Sequence, residues 1–377
     1  MNTTWRQCTI GDVCDTISNT YNSNAQQVVL INTSDVLEGK VLNHIYIPNE
    51  NLKGQFKKTF EEGDILYSEI RPQNKRYAYI DFAPINYIAS TKLMVIRNKN
   101  IVKSKYLYYF LQSDKIISEL QMLAETRSGT FPQITFNELS KLSIKIPPLP
   151  EQDRIISILD SICKKIDINQ QINDNLEEQA KALFKSWFVD FDRNEWVHCE
   201  LGDITLITAG GDRPSKYTNK KTIECHVPIY SNGIDNEGLY GYTNVAKIHE
   251  ESITISARGT IGYVCLRLEP YVPIVRLISI IPNKKELSAK YLYLWALTQN
   301  ITGTGTTQQQ LTVPIFRKTP ISIPSDTKLK QFNSIADPLF SQIESNKKEN
   351  IKLSTLRDTL LPKLMSGEIS VEEVSLD

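Results

Sequence analysis

The sequence is poor in metal ligands: its 377 residues include only four histidines and six cysteines. No two cysteines stand at CxxC spacing, so neither a zinc ribbon nor a disulfide framework is expected, and free thiols of a reducing compartment are. His198 beside Cys199 and His226 beside Cys225 are adjacent pairs, which rarely make a metal site, so none is expected. Charge of one sign is also missing. Lysine plus arginine and aspartate plus glutamate number 43 each, with a pI near 6.9, so no whole-molecule field announces a polyanionic partner. There is no apolar run of the roughly 18 residues that a membrane span needs. The opening MNTTWRQCTIGD has no basic segment followed by an apolar one, and a cytoplasmic protein without a membrane partner is expected.

Motifs of common chemistry are absent too. There is no GxxxxGK[ST] loop, no GxGxxG after a strand, no HExxH and no GxSxG. DILYSEIR, residues 64–71, lacks a nuclease's carboxylate spacing. SARGTIG, residues 256–262, looks like a phosphate loop but lacks its lysine, and the following YVCLRL reads as a strand rather than a helix. The expectation is a binding or scaffolding protein that performs no catalysis of its own.

What is present is said twice. WRQCTIGDV at Trp5 returns as WVHCELGDI at Trp196, an offset of 191. DILYSEIR returns as SITISARG at an offset of 188, and KYLYYF at Lys105 as KYLYLW at Lys290, an offset of 185. From Ser128 the offset is 177, which aligns SGTFPQIT with GTTQQQLT and the Ile146-Pro147 step with Ile323-Pro324. Order is kept while the offset shrinks only at loops, so the chain is an internal duplication of two domain-sized units. In each unit, short apolar runs among Gly, Asn and Pro signal strands of a mixed α/β or α+β domain. KYLYYFLQSDKIISEL reads as one helix whose tyrosines pack on a core rather than stack on bases. Trp5 and Trp196 are expected to be packing anchors.

The second part of each unit is different. From Asp153 to Phe191 there is no Pro or Gly, and every seventh residue gives Ile155, Ile162, Asn169, Leu176 and Leu183. The same walk shifted by 177 gives Phe332, Leu339, Asn346, Leu353 and Leu360. Companions at helical spacing include Ile158, Leu159, Ile166, Ile172 and Ala180, then Ile335, Ile343, Leu356 and Leu364. Both halves therefore carry a long amphipathic helix interrupted by Asn at the same step, a register device when two such helices pair. At 1.5 Å per residue the first spans roughly 57 Å, and an antiparallel coiled coil of the two is expected. Pro338 and Pro362 predict kinks or breaks in the second. The expected boundaries are a globular domain over 1–146, a helix over 147–193, a second domain over 194–323 and a second helix over 324–377. The globular stretches carry a small basic excess and the helices a small acidic one.

These features together resemble the specificity subunit of a type I restriction–modification enzyme over essentially the full length: the repeated W…C…GD openings, the SARGTIG loop, SGTFPQIT with TGTTQQQLT, and IPPLPEQDRIISILD feeding a long helix. The resemblance implies two target-recognition domains, each reading one half of a split double-stranded DNA sequence, and a coiled coil that spaces them and binds two modification subunits. Those partners would use S-adenosylmethionine to methylate adenine, and a restriction subunit using ATP and Mg2+ could join them; this chain would bind no cofactor. Candidate DNA contacts are Arg71, Lys75 and Arg76 after a strand, Arg258 in the matching loop, and Arg127 beside the SGT segment. Thr306, Thr307 and Gln308 of the GTTQQQ run, with Arg213 and Lys216 of GGDRPSKY, complete the set. Glu151 and Gln152, at the elbow before the first helix, are candidate partner contacts. In the second unit IPPLPEQ becomes ISIPSDTKLKQF, a departure at that elbow. Two other readings are a two-headed protein scaffold without DNA affinity and an orphan remnant specificity subunit.

Overall fold

The computed structural model describes residues 5–50, 52, 54–126, 132–190, 196–283, 287–299, 301 and 311–374. Contacts divide it into two compact units, Met1–Ile168 with Glu349–Asp377, and Asn169–Lys348. Among the described residues no helix is long and apolar enough to cross a membrane. No group of three His, Cys, Asp or Glu could hold a metal there, and the six cysteines are free thiols.

In the first unit the entering strand Arg6–Thr9 pairs antiparallel with Ser143–Ile146, the last strand before the long helix. Two four-stranded sheets lie between. One has the order Cys14–Ile17, Leu93–Asn98, Ile65–Ser68, Tyr77–Tyr79; the other runs Ile47–Pro48, Gln27–Ile31, Tyr87–Ser90, Phe56–Lys58. Ile65, Leu66, Tyr67 and Ser68 are all buried, because both faces of that strand are covered. KYLYYFLQSDKIISEL forms two helices rather than one, Ser104–Leu111 and Asp114–Glu125, parted at Gln112 and Ser113. Tyr106 and Tyr109 are buried on them, as packing residues.

The second unit repeats the plan. Val197–Glu200 pairs antiparallel with Pro320–Ile323, and one sheet has the order Thr205–Ala209, Ile278–Pro282, Ser252–Ile255, Val264–Arg267. A three-stranded sheet orders Leu239–Thr243, Val227–Tyr230, Val272–Pro273. Arg6 faces Ile146 in the first unit and Val197 faces Ile323 in the second, so the offsets of 191 and 177 meet in one strand pair. The Tyr106 hydroxyl donates to the Lys145 carbonyl at 2.8 Å, and its counterpart Tyr291 donates to Ser322 at 3.2 Å. Lys105 reaches Asp160 at 2.7 Å, and Lys290 reaches Asp337 at 2.8 Å. The SARGTIG segment leads into the strand Val264–Arg267, as its sequence predicts.

The first long helix is Leu149–Phe184, followed by a wider turn at Lys185–Val189. It starts at Leu149, two residues inside the expected span, with Pro150 in the first turn, where a missing N–H costs nothing. The second is Asp326–Ser366, unbroken through Pro338 and Pro362. Both prolines are exposed, and the residues four positions earlier, Ser334 and Asp358, lie at exposed positions too, where water can serve the carbonyls left without donors. Within each unit the two helices run antiparallel. In the first, Lys165 meets Glu349 at 3.5 Å while Ile155 and Leu159 share a core with Leu361 and Leu364. In the second, Asn173 meets Asn346 while Phe184 packs on Phe332, ring centroids 6.0 Å apart.

Seam positions Ile155, Ile162, Asn169, Phe332 and Asn346 are buried; Leu176, Leu183, Leu339, Leu353 and Leu360 are half-buried. Of the companions, Ile172, Ile335 and Leu356 are exposed rather than buried, on the outward side of helices whose apolar stripe is narrower than the periodicity suggested. The expected facing of like asparagines is displaced by one turn: Asn346 Nδ2 donates to Asn173 Oδ1 at 2.8 Å.

Candidate nucleic-acid interface

In the first unit, the loop after Ile65–Ser68 is fixed by three backbone hydrogen bonds. Glu69 N–H donates to the Lys92 carbonyl at 3.0 Å, Ile134 N–H to Glu69 at 2.8 Å, and Arg71 N–H to Pro132 at 3.1 Å. Arg71 is exposed, with left-handed φ of 45°. A left-handed turn also holds Lys75, φ 52°, whose ammonium lies 3.4 Å from Asp114. Arg76 donates to the carbonyls of Ser34 at 3.1 Å and Val36 at 3.4 Å. Lys75 and Arg76 are half-buried, and these bonds direct them toward the protein rather than outward. Lys92 reaches Gln133 at 3.1 Å and Glu69 at 3.7 Å.

The second unit builds the same loop framework. Leu311 N–H donates to the Ala257 carbonyl at 3.2 Å, the counterpart of Ile134 to Glu69. Beside Ala257, Arg258 is exposed. Arg213 is exposed over the Tyr217 ring, 4.0 Å from its centroid, and donates to the Tyr240 hydroxyl at 3.0 Å. That hydrogen bond raises the Arg213 pKa further, so the cation persists at any working pH. Lys216 is paired with Glu224, and the bond raises the lysine pKa. Arg127, Thr306, Thr307 and Gln308 lie outside the described residues.

Sequence reasoning missed Asn232. Its amide nitrogen donates to the Val275 carbonyl at 2.7 Å, and its oxygen accepts from Ala257 N–H at 2.8 Å, so it ties the Arg258 loop to the turn carrying Arg276. Aligning YIASTKLMVI with YVPIVRLISI would have placed Arg276 opposite Lys92 and drawn attention to that turn. Not every arginine belongs to a surface. Arg267, 4% exposed, stacks on Tyr230 and donates to Thr254 and to the Glu237 carbonyl.

At the elbow, Glu151 accepts from the Trp5 indole at 3.2 Å. Gln152 is 1% exposed: its oxygen accepts from Lys103 N–H at 2.8 Å and its nitrogen donates to Pro147 at 2.8 Å. Its side chain therefore faces the interior rather than an outside partner. Leu329, the residue 177 positions on, is buried in the second core. The loss of EQ in the second half thus exchanges a polar interior contact for an apolar one.

The model for the type I restriction modification DNA specificity domain matches residues 2–178 and again 193–355. The chain belongs to that family. Members of the type I restriction–modification specificity family are non-catalytic subunits, with catalysis in partner chains. The HindI specificity subunit of Haemophilus influenzae is 33% identical over 460 aligned residues, spanning 97% of this chain and 99% of that one. The MjaIX specificity subunit of Methanocaldococcus jannaschii is 28% identical over 336 residues, 78% of this chain and 77% of that one. A crystal structure of a type I restriction–modification S subunit from M. genitalium shares the fold, with a TM-score of 0.53, 18% identity, and coverage of 97% of this chain and 96% of that one.

Proposed function

We propose that this specificity subunit recognises a bipartite double-stranded DNA target, one half-site per unit, and positions two adenine methyltransferase subunits, with restriction subunits able to join. The observation that carries the reading is the duplicated loop framework: equivalent backbone bonds, Ile134 to Glu69 and Leu311 to Ala257, fix basic loops at the same place in each unit. Two copies of one reading device fit two half-sites, and different side chains on them fit different sequences. Arg71 serves the first half-site; Arg213, Lys216 and Arg258 serve the second. Lys75 and Arg76 shape the first loop from within. Arg127, Thr306, Thr307 and Gln308, outside the described residues, are kept as further DNA contacts on their sequence alone.

Partner subunits would dock on the outer helix faces. Ile351 and Leu356 of the first unit and Ile172 and Ile335 of the second leave apolar side chains exposed there, which suits a protein partner. Glu151 contributes from the elbow, and Gln152 holds its shape. S-adenosylmethionine, ATP and Mg2+ belong to the partners' chemistry. Methylome sequencing of a host expressing the chain with its modification subunit tests this. Methyladenine at a split motif, dependent on the chain, is expected; a competent modification subunit whose methylation never depends on the chain refutes the reading.

A further inference from the structure

The turn between Val272–Pro273 and Ile278–Pro282 has a conformation that its sequence does not favour. Val275 has φ of 52° and Arg276 of 63°, two successive left-handed residues without a glycine. For a β-branched valine this is a strained backbone. The surroundings impose it. Val275 N–H donates to the Gly211 carbonyl and Arg276 N–H to that of Gly210, both at 2.9 Å, while Asn232 holds the Val275 carbonyl at 2.7 Å. Gly210 makes the approach possible, since a Cβ there would lie 2.7 Å from the Ile274 nitrogen.

The held turn displays two side chains. Val275 is 51% exposed, and the Arg276 side chain is exposed with no hydrogen bond or ion pair among the described residues. Arg267 of the same unit is differently employed, buried and paired with Glu237. In the first unit the corresponding Thr91-Lys92 step has no positive φ, and Lys92 bonds Gln133. The feature is therefore particular to the second unit, as a sequence-selecting element should be when the two halves differ.

We propose that Arg276 is a specificity-determining residue of the second unit, reading a guanine edge in the DNA major groove, with Val275 packing beside it. The inference rests on the DNA-reading function above. A phosphate contact tolerates a mobile lysine or arginine and needs no strained, fixed backbone. Bidentate recognition of guanine O6 and N7 needs a guanidinium aimed in one direction, and an exposed valine beside it suits a neighbouring thymine methyl.

The test compares wild type, Arg276→Ala and Arg276→Lys, each with the same modification subunits, by methylome sequencing and by binding of duplexes changed at single positions. For Arg276→Ala, one position of the second half-site relaxes from guanine to several bases. The first half-site and the gap stay the same, and discrimination at that position falls roughly 5- to 150-fold. Arg276→Lys gives an intermediate loss. An unchanged motif overturns the inference, whether methylation is undiminished or uniformly weaker with a shallower salt dependence, the signature of a phosphate contact. A wild-type complex that methylates no split motif is a separate outcome: it removes the underlying reading, and this inference with it.

Discussion

The asparagine pair in the second unit's helix seam predicts an asymmetry between two alanine substitutions. Asn173 is 4% exposed and Asn346 5%, and a single bond joins them, Asn346 Nδ2 to Asn173 Oδ1. The Asn173 nitrogen has no partner among the described residues, whereas Asn346 Oδ1 accepts from Gln342. Asn346→Ala leaves Asn173 with neither polar atom bonded, and an unsatisfied buried group costs about 1–3 kcal/mol. Asn173→Ala orphans the Asn346 donor but also deletes a donor that was already orphaned, so the two effects partly offset. We expect a loss of about 2–3 kcal/mol for Asn346→Ala and about 1 kcal/mol for Asn173→Ala. Replacing both by leucine removes every unsatisfied atom and should bring stability to within about 1 kcal/mol of wild type or above it, at the expense of helix register. Urea unfolding of wild type, the two alanine variants and the leucine and alanine double mutants, read from midpoints at constant m, measures this. Equal losses for the two alanine variants, or an Asn173→Ala that is the worse, would refute the reasoning. So would an alanine double mutant additive to within about 0.5 kcal/mol.

Three further outcomes follow from local geometry. Arg97 binds the 1%-exposed Asp64 carboxylate through two bonds of 2.8 and 2.7 Å, so Arg97→Ala should destabilise the first unit by about 3 kcal/mol in urea titration. Burial, helped by the Asp15 carboxylate, pushes the Cys14 thiol up to about 12. Because the folded value lies above the unfolded one, its stabilising share is whole below pH 9 and is lost between pH 9 and 12, at up to about 1.4 kcal/mol per pH unit. Alkaline unfolding of Cys14→Ala should therefore show a shallower decline than wild type; an identical slope would disprove this. Val275→Gly relieves left-handed strain and should raise the melting temperature, with about 1 kcal/mol gained.

Much of this architecture is legible in the sequence, because a duplication supplies its own comparison. The match of Trp5–Val13 to Trp196–Ile204 predicts equivalent elements, and the strands Arg6–Thr9 and Val197–Glu200 with their following one-turn helices are those elements. The long helices are legible because 3.6-residue periodicity over dozens of residues leaves no competing pattern. Periodicity says less about which turn meets which across a pair. It therefore matched Asn169 with Asn346 as repeat positions, although Asn346 bonds Asn173. The interface is the least legible part. Lys75 and Arg76 look like an exposed basic loop in RPQNKR, but carbonyls and carboxylates distant in sequence draw them inward. Asn232 is invisible for the opposite reason: an ordinary polar residue becomes a hub only when two remote loops meet at its amide.

The strand pair that joins the beginning of each globular part to its end has a consequence for how such proteins diversify. Arg6 lies across from Ile146, and Val197 across from Ile323, so everything between enters and leaves at one short ladder. Content can be exchanged behind that ladder without moving the helix that begins just beyond it. The second unit already illustrates the tolerance: its offset falls from 191 to 177 between entry and exit, a loss of 14 residues, yet the ladder closes in the same register. A reading head built this way is a cassette. On the proposed function, exchanging the content behind one ladder would change the half-site read while leaving the helices, and whatever docks on them, unchanged.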